Sequence, residues 1–267
     1  PVVAVEIRDR RQDDWSPLLP QVWGAAMDNP AAWAKAAEAA GADLIQLTLS
    51  LTDAEGKPLT AEGAVATVKS VLAACGLPLI VFGPGQEEVD NTVLVAVAEA
   101  TKGERLVLGI CEDKNYRTIV ATAMANGHLV NSRTPMDVNL AKQLSILVSD
   151  MGMPLDRMIM DPTTGALGYG IEYGYSAMER LRLAALQGDS MTQFPMLVTP
   201  GFEAWKTKEA KVNEGVPESW GDWEERSVNW ETLTAISLLE SGADVLVLRH
   251  PESVKRVRSA IDELMAV

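Results

Sequence analysis

The sequence predicts an α/β fold in which eight parallel strands alternate with helices and close into a barrel, one domain over residues 1–267. Three observations carry that expectation. Eight short apolar runs recur along the chain: Val2–Val5, Leu44–Leu49, Leu79–Phe82, Leu106–Ile110, Leu129–Val130, Met158–Met160, Met196–Val198 and Val245–Leu248. The runs are continuous rather than alternating, as suits parallel strands covered by helices. Two helix-to-strand joints near opposite ends of the chain, AAGADLIQL (Ala39 to Leu47) and ESGADVLVL (Glu240 to Leu248), share one pattern: Gly closes a helix and Asp precedes a buried strand. The fold is thus the (β/α)8, or TIM, barrel. A doubly wound open sheet is the alternative, but it normally has fewer strands at this length.

The segments between the runs have helical period. In DNPAAWAKAAEAAGAD, Asn29 caps a helix, Pro30 opens it and Gly41 ends it. Leu140, Leu144, Leu147, Val148 and Met151 form one helix face. That helix is expected to start in TPMD, with Thr134 as cap, Pro135 in the first turn and Asp137 completing a capping box. The sixth run stops at Asp161 and Pro162, and four glycines (Gly165, Gly168, Gly170, Gly174) follow before the next helix. Glycine is destabilising unless the backbone needs unusual dihedrals or something approaches it closely. After the seventh run a Trp-rich insertion occupies about 201–229, with the next helix expected near Trp230. It carries Trp205, Trp220 and Trp223, either as a local mini-core or as a partner surface or lid. The last helix is expected after RHPES.

Composition excludes several functions. The chain has 23 Lys and Arg against 37 Asp and Glu, a net charge of −14. Direct binding to nucleic acid or to an anionic membrane is therefore not expected. Its longest apolar runs, such as LPLIVF (Leu77 to Phe82), are too short to span a bilayer. The opening PVVAVEIRDRR is not a signal peptide, and its lack of Met fits a fragment or a trimmed chain. Cys75 and Cys111 are too few for a disulfide scaffold or an all-Cys cluster, so a reduced, cytoplasmic setting is the default. The histidines are His128 and His250, with no H-E-x-x-H and no C-x-x-C, and no metal site built from this chain alone is expected.

In such a barrel the working face lies at the C-terminal ends of the strands. Those ends carry Glu6, Arg8 and Asp9; Thr48 and Ser50; Gly83; Cys111, Glu112 and Asp113; Asn131, Ser132 and Arg133; Asp161, Thr163 and Thr164; Thr199; and Arg249 with His250. Asp161, held before a proline, is the leading candidate for a ligand N–H or for acid/base work; an Asx turn is its structural alternative. Asn131 offers a donor and an acceptor to a planar polar ligand, or orders a loop. Cys111 offers a thiol, but no His lies near it in sequence, and packing is the plainer role. Glu112 and Asp113 are read as caps of the helix near Asn115. Arg249 and His250 would hold an anion, or His250 would cap the last helix. GALGYG fails the spacing of a dinucleotide fingerprint. We read Gly165, Gly168 and Gly170 as a flat platform, with Tyr169, Tyr173 and Tyr175 supplying apolar faces and hydroxyls.

The stretches MDPTTGALGYGIEYGYSAMERLRLAALQGD, TPGFEAWKTKEA and GADVLVLRHPESV closely resemble the small subunit of the corrinoid iron–sulfur protein, whose archaeal counterpart is the delta subunit of the acetyl-CoA decarbonylase/synthase complex. Family members usually carry an additional N-terminal stretch. The resemblance implies a TIM barrel in the reductive acetyl-CoA (Wood–Ljungdahl) pathway. It implies a heterodimer with a large subunit that binds the [4Fe-4S] cluster and most of the corrinoid (cobalamin), this barrel helping to enclose the corrinoid. The methyl group comes from methyltetrahydrofolate or tetrahydropterin through a methyltransferase and goes to acetyl-CoA synthase. Corrinoid- or partner-facing candidates are Asn131, Asp161, Thr163, Thr164, Gly165, Gly168, Tyr169, Gly170 and Tyr173, with Trp205, Trp220 and Trp223 as partner-loop candidates and no catalytic residue. The chain has no D-x-H-x-x-G of a cobalamin domain with a histidine ligand. The alternative is a pterin-dependent methyltransferase of the same barrel type. Where those enzymes hold pterin with Asp, Asn, Asp and Asn, this chain has Gly83, Cys111, Asp161 and Thr199. A free-standing enzyme acting on a phosphorylated small molecule through Arg249 and His250 is the third class.

Overall fold

Each of the eight apolar runs forms a strand in the structure, a computed structural model that describes residues 1–165 and 167–266. The strands are β1 (Val2–Arg8), β2 (Leu44–Thr48), β3 (Leu79–Phe82), β4 (Val107–Cys111), β5 (Leu129–Arg133), β6 (Met158–Asp161), β7 (Leu197–Val198) and β8 (Val245–Leu248). The sheet order is β6-β5-β4-β3-β2-β1-β8-β7, and the neighbouring strands are parallel. Between β6 and β7 a parallel bridge, Met160 to Met196, nearly closes the barrel.

Side chains alternate across a strand, so each strand supplies two cores. Val3, Val5 and Ile7 face the helices and join the large outer core with Leu47, Leu108 and Leu246. Ala4, Ile80, Phe82, Val107, Leu197, Val245 and Val247 fill the barrel axis. The same alternation, continued toward the C-terminal strand ends, replaces apolar with polar residues. Glu6 follows Ala4 at a spacing of two; Gln46 follows Leu44, Asn131 follows Leu129, Asp161 follows Ile159, and Arg249 follows Val247. The axis is thus apolar below and polar above, and the polar end is the face on which barrel ligands bind.

Helix boundaries differ from expectation where capping was misread. Helix Val138–Asp150 is capped by Asp137, which accepts from the Asn139 and Leu140 N–H groups. Thr134 does not cap it: its hydroxyl has no hydrogen-bond partner among the described residues, and its carbonyl accepts from the Thr163 hydroxyl. On that helix Leu144 and Val148 are buried, while Leu140 is exposed. Glu112 and Asp113 do not cap helix Tyr116–Asn126; Asn115 stands at its N-cap, its carboxamide accepting from the Glu112 N–H. The last helix starts earlier than expected, at Pro251, with His250 as cap. Asn29 caps helix Pro30–Ala39 as the sequence indicates.

The connection after β7 holds short helical segments: Pro200–Ala204, Lys208–Lys211 and a turn at Glu218–Trp220 precede the long helix Trp223–Glu240. That helix begins well before Trp230 because Asp222 caps it, accepting from the Glu225 N–H. Leu18, Leu19, Trp205 and Ala210 form a third small core, flanked by Trp15 and Trp223. Trp205 is 2% exposed and stacks on the His250 ring, which takes it off the list of surface aromatics. Trp223 is half-buried and donates through its indole N–H to the Ala210 carbonyl. The mini-core reading therefore describes Trp205 and Trp223, and of the three only Trp220, half-buried beneath the Arg226 guanidinium, lies outside that core. No helix among the described residues is long and apolar enough to cross a membrane.

Candidate functional site

The predicted corrinoid- or partner-facing residues span the range of burial, with Thr163 and Gly170 half-buried. Asn131, Asp161, Thr164 and Gly165 are buried, whereas Gly168, Tyr169 and Tyr173 are exposed. Asp161 is fully enclosed, and three donors meet its carboxylate. The Thr163 N–H donates to Oδ1 at 2.9 Å, Arg133 Nε donates to Oδ2 at 2.7 Å, and Asn131 Nδ2 donates to Oδ2 at 3.3 Å. The Thr163 contact is the Asx turn named as the structural alternative for this residue. Thr163 holds a left-handed backbone (φ 63°) and is tied down by its hydroxyl, which donates to the Thr134 carbonyl at 2.6 Å. Thr164 accepts from the Thr199 N–H at 2.8 Å and so fastens the loop to the end of β7.

The glycines of this loop answer mostly to the chain itself. Gly170 has φ of +112°, a region L side chains avoid. At Gly174 a Cβ would lie 2.9 Å from the Thr164 carbonyl oxygen, so helix Glu172–Leu186 seats on the loop only with glycine there. Gly168 alone of the four faces open space. Beside it stand Tyr169, 83% exposed, and Tyr173, 59% exposed. Both lie on the C-terminal face of the barrel.

Across the mouth, a second group was only partly legible. Glu6 is buried between two arginines: Arg249 Nε donates to Oε2 at 2.7 Å, and Arg8 Nη1 donates to Oε1 at 3.3 Å. Burial raises the Glu6 pKa, but Arg249 and Arg8 outweigh it and hold the carboxyl below the ordinary range. Gln46 and Phe82, not singled out from sequence, line the same mouth. Their signal was the two-residue spacing from Leu44 to Gln46 to Thr48 and from Ile80 to Phe82. Gly83 at the end of β3 is forced by Asp90 behind it: a Cβ there would lie 2.4 Å from Asp90 Oδ1, which accepts from the Gly85 N–H. Gly83→Ala is expected to cost about 1–3 kcal/mol in urea unfolding, as overpacked sites do, by displacing Asp90 from that loop.

Cys111 is fully buried and burial pushes its thiol up to about 12, so it is a packing residue rather than a nucleophile. His250 is 3% exposed, its Nδ1 accepts from the Glu252 N–H, and burial pushes its pKa down to about 4. It is a neutral cap at pH 7, which removes it as the anion holder of the phosphate reading. His128 lies at the opposite end, its ring nitrogens engaged by the Leu106 N–H and the Ala98 carbonyl. Among the described residues no group of three or more His, Cys, Asp or Glu is placed to hold a metal ion.

Fold and site define a TIM barrel whose polar mouth opens beside an exposed tyrosine loop. Solved structures share the fold. The Yersinia pestis dihydropteroate synthase with a pterine-sulfa conjugate matches with a TM-score of 0.63 at 14% identity, over 100% of this chain and 95% of that one. The Xanthomonas albilineans dihydropteroate synthase with 4-aminobenzoic acid matches with 0.64 at 15%, over 100% and 94%. At such identity the likeness is one of fold. Residues 1–258 match the family described as CO dehydrogenase/acetyl-CoA synthase delta subunit, and the chain belongs to that family. It is 36% identical to the acetyl-CoA decarbonylase/synthase complex subunit delta of Archaeoglobus fulgidus, over 99% of this chain and 59% of the relative. It is 40% identical to subunit delta 1 of Methanosarcina thermophila, over 85% and 53%. The chain thus spans between half and two thirds of the length of these relatives, which are named as subunits of a complex.

Proposed function

We propose that this chain is the barrel subunit that closes over a corrinoid held by a larger, [4Fe-4S]-bearing partner. In that role it serves the passage of a methyl group from methyltetrahydrofolate or a tetrahydropterin to acetyl-CoA synthase. Membership of the delta subunit family supports the reading. The observation that carries it is the pair of tyrosines, Tyr169 and Tyr173, left 83% and 59% exposed on the C-terminal face. Buried aromatic anchors dominate interface energetics, and exposed ones want a partner.

The residues present fit the group. A corrinoid is flat and rimmed with carboxamides. Two buried oxygens on this face, Asn131 Oδ1 and Thr134 Oγ1, lack a hydrogen-bond partner among the described residues, and amide N–H groups are what they lack. Thr163, Gly168, Tyr169, Gly170 and Tyr173 would lie against the macrocycle and exclude water from it. When bound, the corrinoid supplies the cobalt centre that accepts and donates the methyl group. This chain's part is enclosure and orientation, since both imidazoles and both thiols are buried. The pterin-methyltransferase reading requires a carboxylate free to hold the ring; the oxygens of Asp161 already accept from Thr163, Arg133 and Asn131.

Co-expression with a corrinoid-binding large subunit tests the proposal. A one-to-one complex carrying cobalamin, with the lone chain colourless, is the expected result. A lone chain that methylates free cobalamin from methyltetrahydrofolate would overturn it. Within the complex, Tyr169→Ala is expected to weaken partner affinity about tenfold. Trp220→Ala is expected to weaken it in the same direction, and neither is expected to shift the unfolding midpoint appreciably. Unchanged affinity in both variants would move the interface to another face.

A further inference from the structure

At the polar top of the barrel axis lies a cavity of about 280 Å³. Glu6, Arg8, Gln46, Phe82, Arg133 and Thr199 are among its walls. Ligand pockets usually run from about 300 to 1,000 Å³, so this one is small, too small for a corrinoid or a folate. Its chemistry is specific. Gln46 is 3% exposed, its Nε2 donates to Thr48 Oγ1, and its Oε1 has no partner. Arg8 Nε is likewise buried without an acceptor. Arg133 donates through Nε to Asp161 and lies 5.4 Å from the centre of the Phe82 ring, while its two Nη groups make no hydrogen bond among the described residues. The cavity therefore offers unused guanidinium N–H groups from two strands and one unused carboxamide oxygen.

The charges select the ligand further. Arg8, Arg133 and Arg249 stand against Glu6 and Asp161, and both carboxylates are engaged in ion pairs with those arginines. One positive charge is left over. A mono-anion neutralises it, whereas a phosphate dianion would leave buried negative charge in excess. Guanidinium groups match the planar two-oxygen face of a carboxylate. We propose that the top of the barrel axis binds a small mono-anionic carboxylate that also carries a hydroxyl or N–H donor. The carboxylate lies between Arg8 and Arg133, and the donor is turned to Gln46 Oε1.

Isothermal titration of the protein at neutral pH tests this with glycolate as the simplest such acid. Acetate serves as the acid without the donor, and methyl glycolate as the donor without the charge. Glycolate is expected to saturate with a Kd on the order of 1 mM, acetate to bind several-fold more weakly, and methyl glycolate not to bind. Arg8→Gln is expected to weaken both acids about tenfold. Gln46→Met, which removes an unsatisfied buried acceptor and keeps the volume, is expected to leave acetate unchanged and to abolish the glycolate advantage. Should Arg8→Gln fold poorly, Gln46→Met decides alone. Methyl glycolate binding as well as glycolate, equal affinity for glycolate and acetate, affinities unmoved by the substitutions, or no saturation by either acid would each overturn the proposal.

Discussion

Glu6→Ala is expected to lower the free energy of unfolding by about 3–5 kcal/mol, the usual consequence of removing one partner from a buried ion pair. Glu6 is 1% exposed and Arg249 is 4% exposed, so neither has water to fall back on. The loss is not confined to the one pair. Arg249 Nε and Arg8 Nη1 both donate to this carboxylate, and the Arg249 guanidinium lies 4.1 Å over the Trp15 ring. Two positive charges at the ends of neighbouring strands would lie side by side with their shared counter-charge gone. Glu6→Gln keeps an acceptor but not the charge, and an intermediate loss is expected. The double substitution Glu6→Met with Arg249→Met is expected to lose less than Glu6→Ala, because only Arg8, the more exposed of the two arginines, is left without its carboxylate. Urea unfolding at pH 7 measures all three. A Glu6→Ala loss below about 1 kcal/mol, the range of an exposed pair, would show that solvent reaches the axis and that the mouth is not dry.

That ion pair illustrates what was legible in the sequence. The eight strands were read from continuous apolar runs, because burial on both faces leaves a signal in composition that needs no knowledge of the partner strand. The strand-end residues followed from the barrel rule, so Glu6, Arg8, Arg133, Asp161 and Arg249 were named before their contacts were known. What the linear order could not carry is pairing between strands that closure of the sheet brings side by side. Glu6 and Arg249 lie at opposite ends of the chain and meet because β1 and β8 are neighbours in the sheet. Gln46 was passed over because a single polar residue within an apolar run reads as noise until the inner face of the strand is known. The glycine loop was read as a ligand platform, yet Gly170 and Gly174 serve the chain's own dihedrals and packing, and spacing alone cannot separate those uses. Capping failed at Thr134 for a related reason. Asp137 and Thr134 both suit an N-cap, and the loop after β6 decides between them, because the Thr163 hydroxyl takes the Thr134 carbonyl that a cap would lend to the helix.

The second large effect concerns pH, where two buried groups oppose each other. Asp90, 2% exposed, has its carboxyl pushed up to about 6 by burial, against which the Gly85 N–H is the chief counterweight. A pKa higher in the folded than in the unfolded chain means that folding takes up a proton between about pH 4 and 6. The favourable contribution of Asp90 is therefore present below pH 4 and is lost as pH rises through 6. His250 has the opposite sign. Its pKa falls from 6.5 unfolded to about 4 folded, so its contribution is intact above 6.5 and is lost as pH falls toward 4. Each shift corresponds to about 3 kcal/mol across its window. Substitution should unmask each slope in turn. The stability of Asp90→Asn relative to the unsubstituted protein is expected to rise by up to about 3 kcal/mol between pH 4 and 6. That of His250→Asn, which can still cap the last helix, is expected to fall by a similar amount between pH 4 and 6.5. Any loss of Trp205 stacking in His250→Asn is a constant offset and leaves the slope untouched. Urea unfolding of the three proteins at half-unit steps of pH reads both differences. Parallel curves for Asp90→Asn and the unsubstituted protein would show that Asp90 ionises as an exposed carboxylate does, and that the Gly83–Gly85 loop above it is open to water.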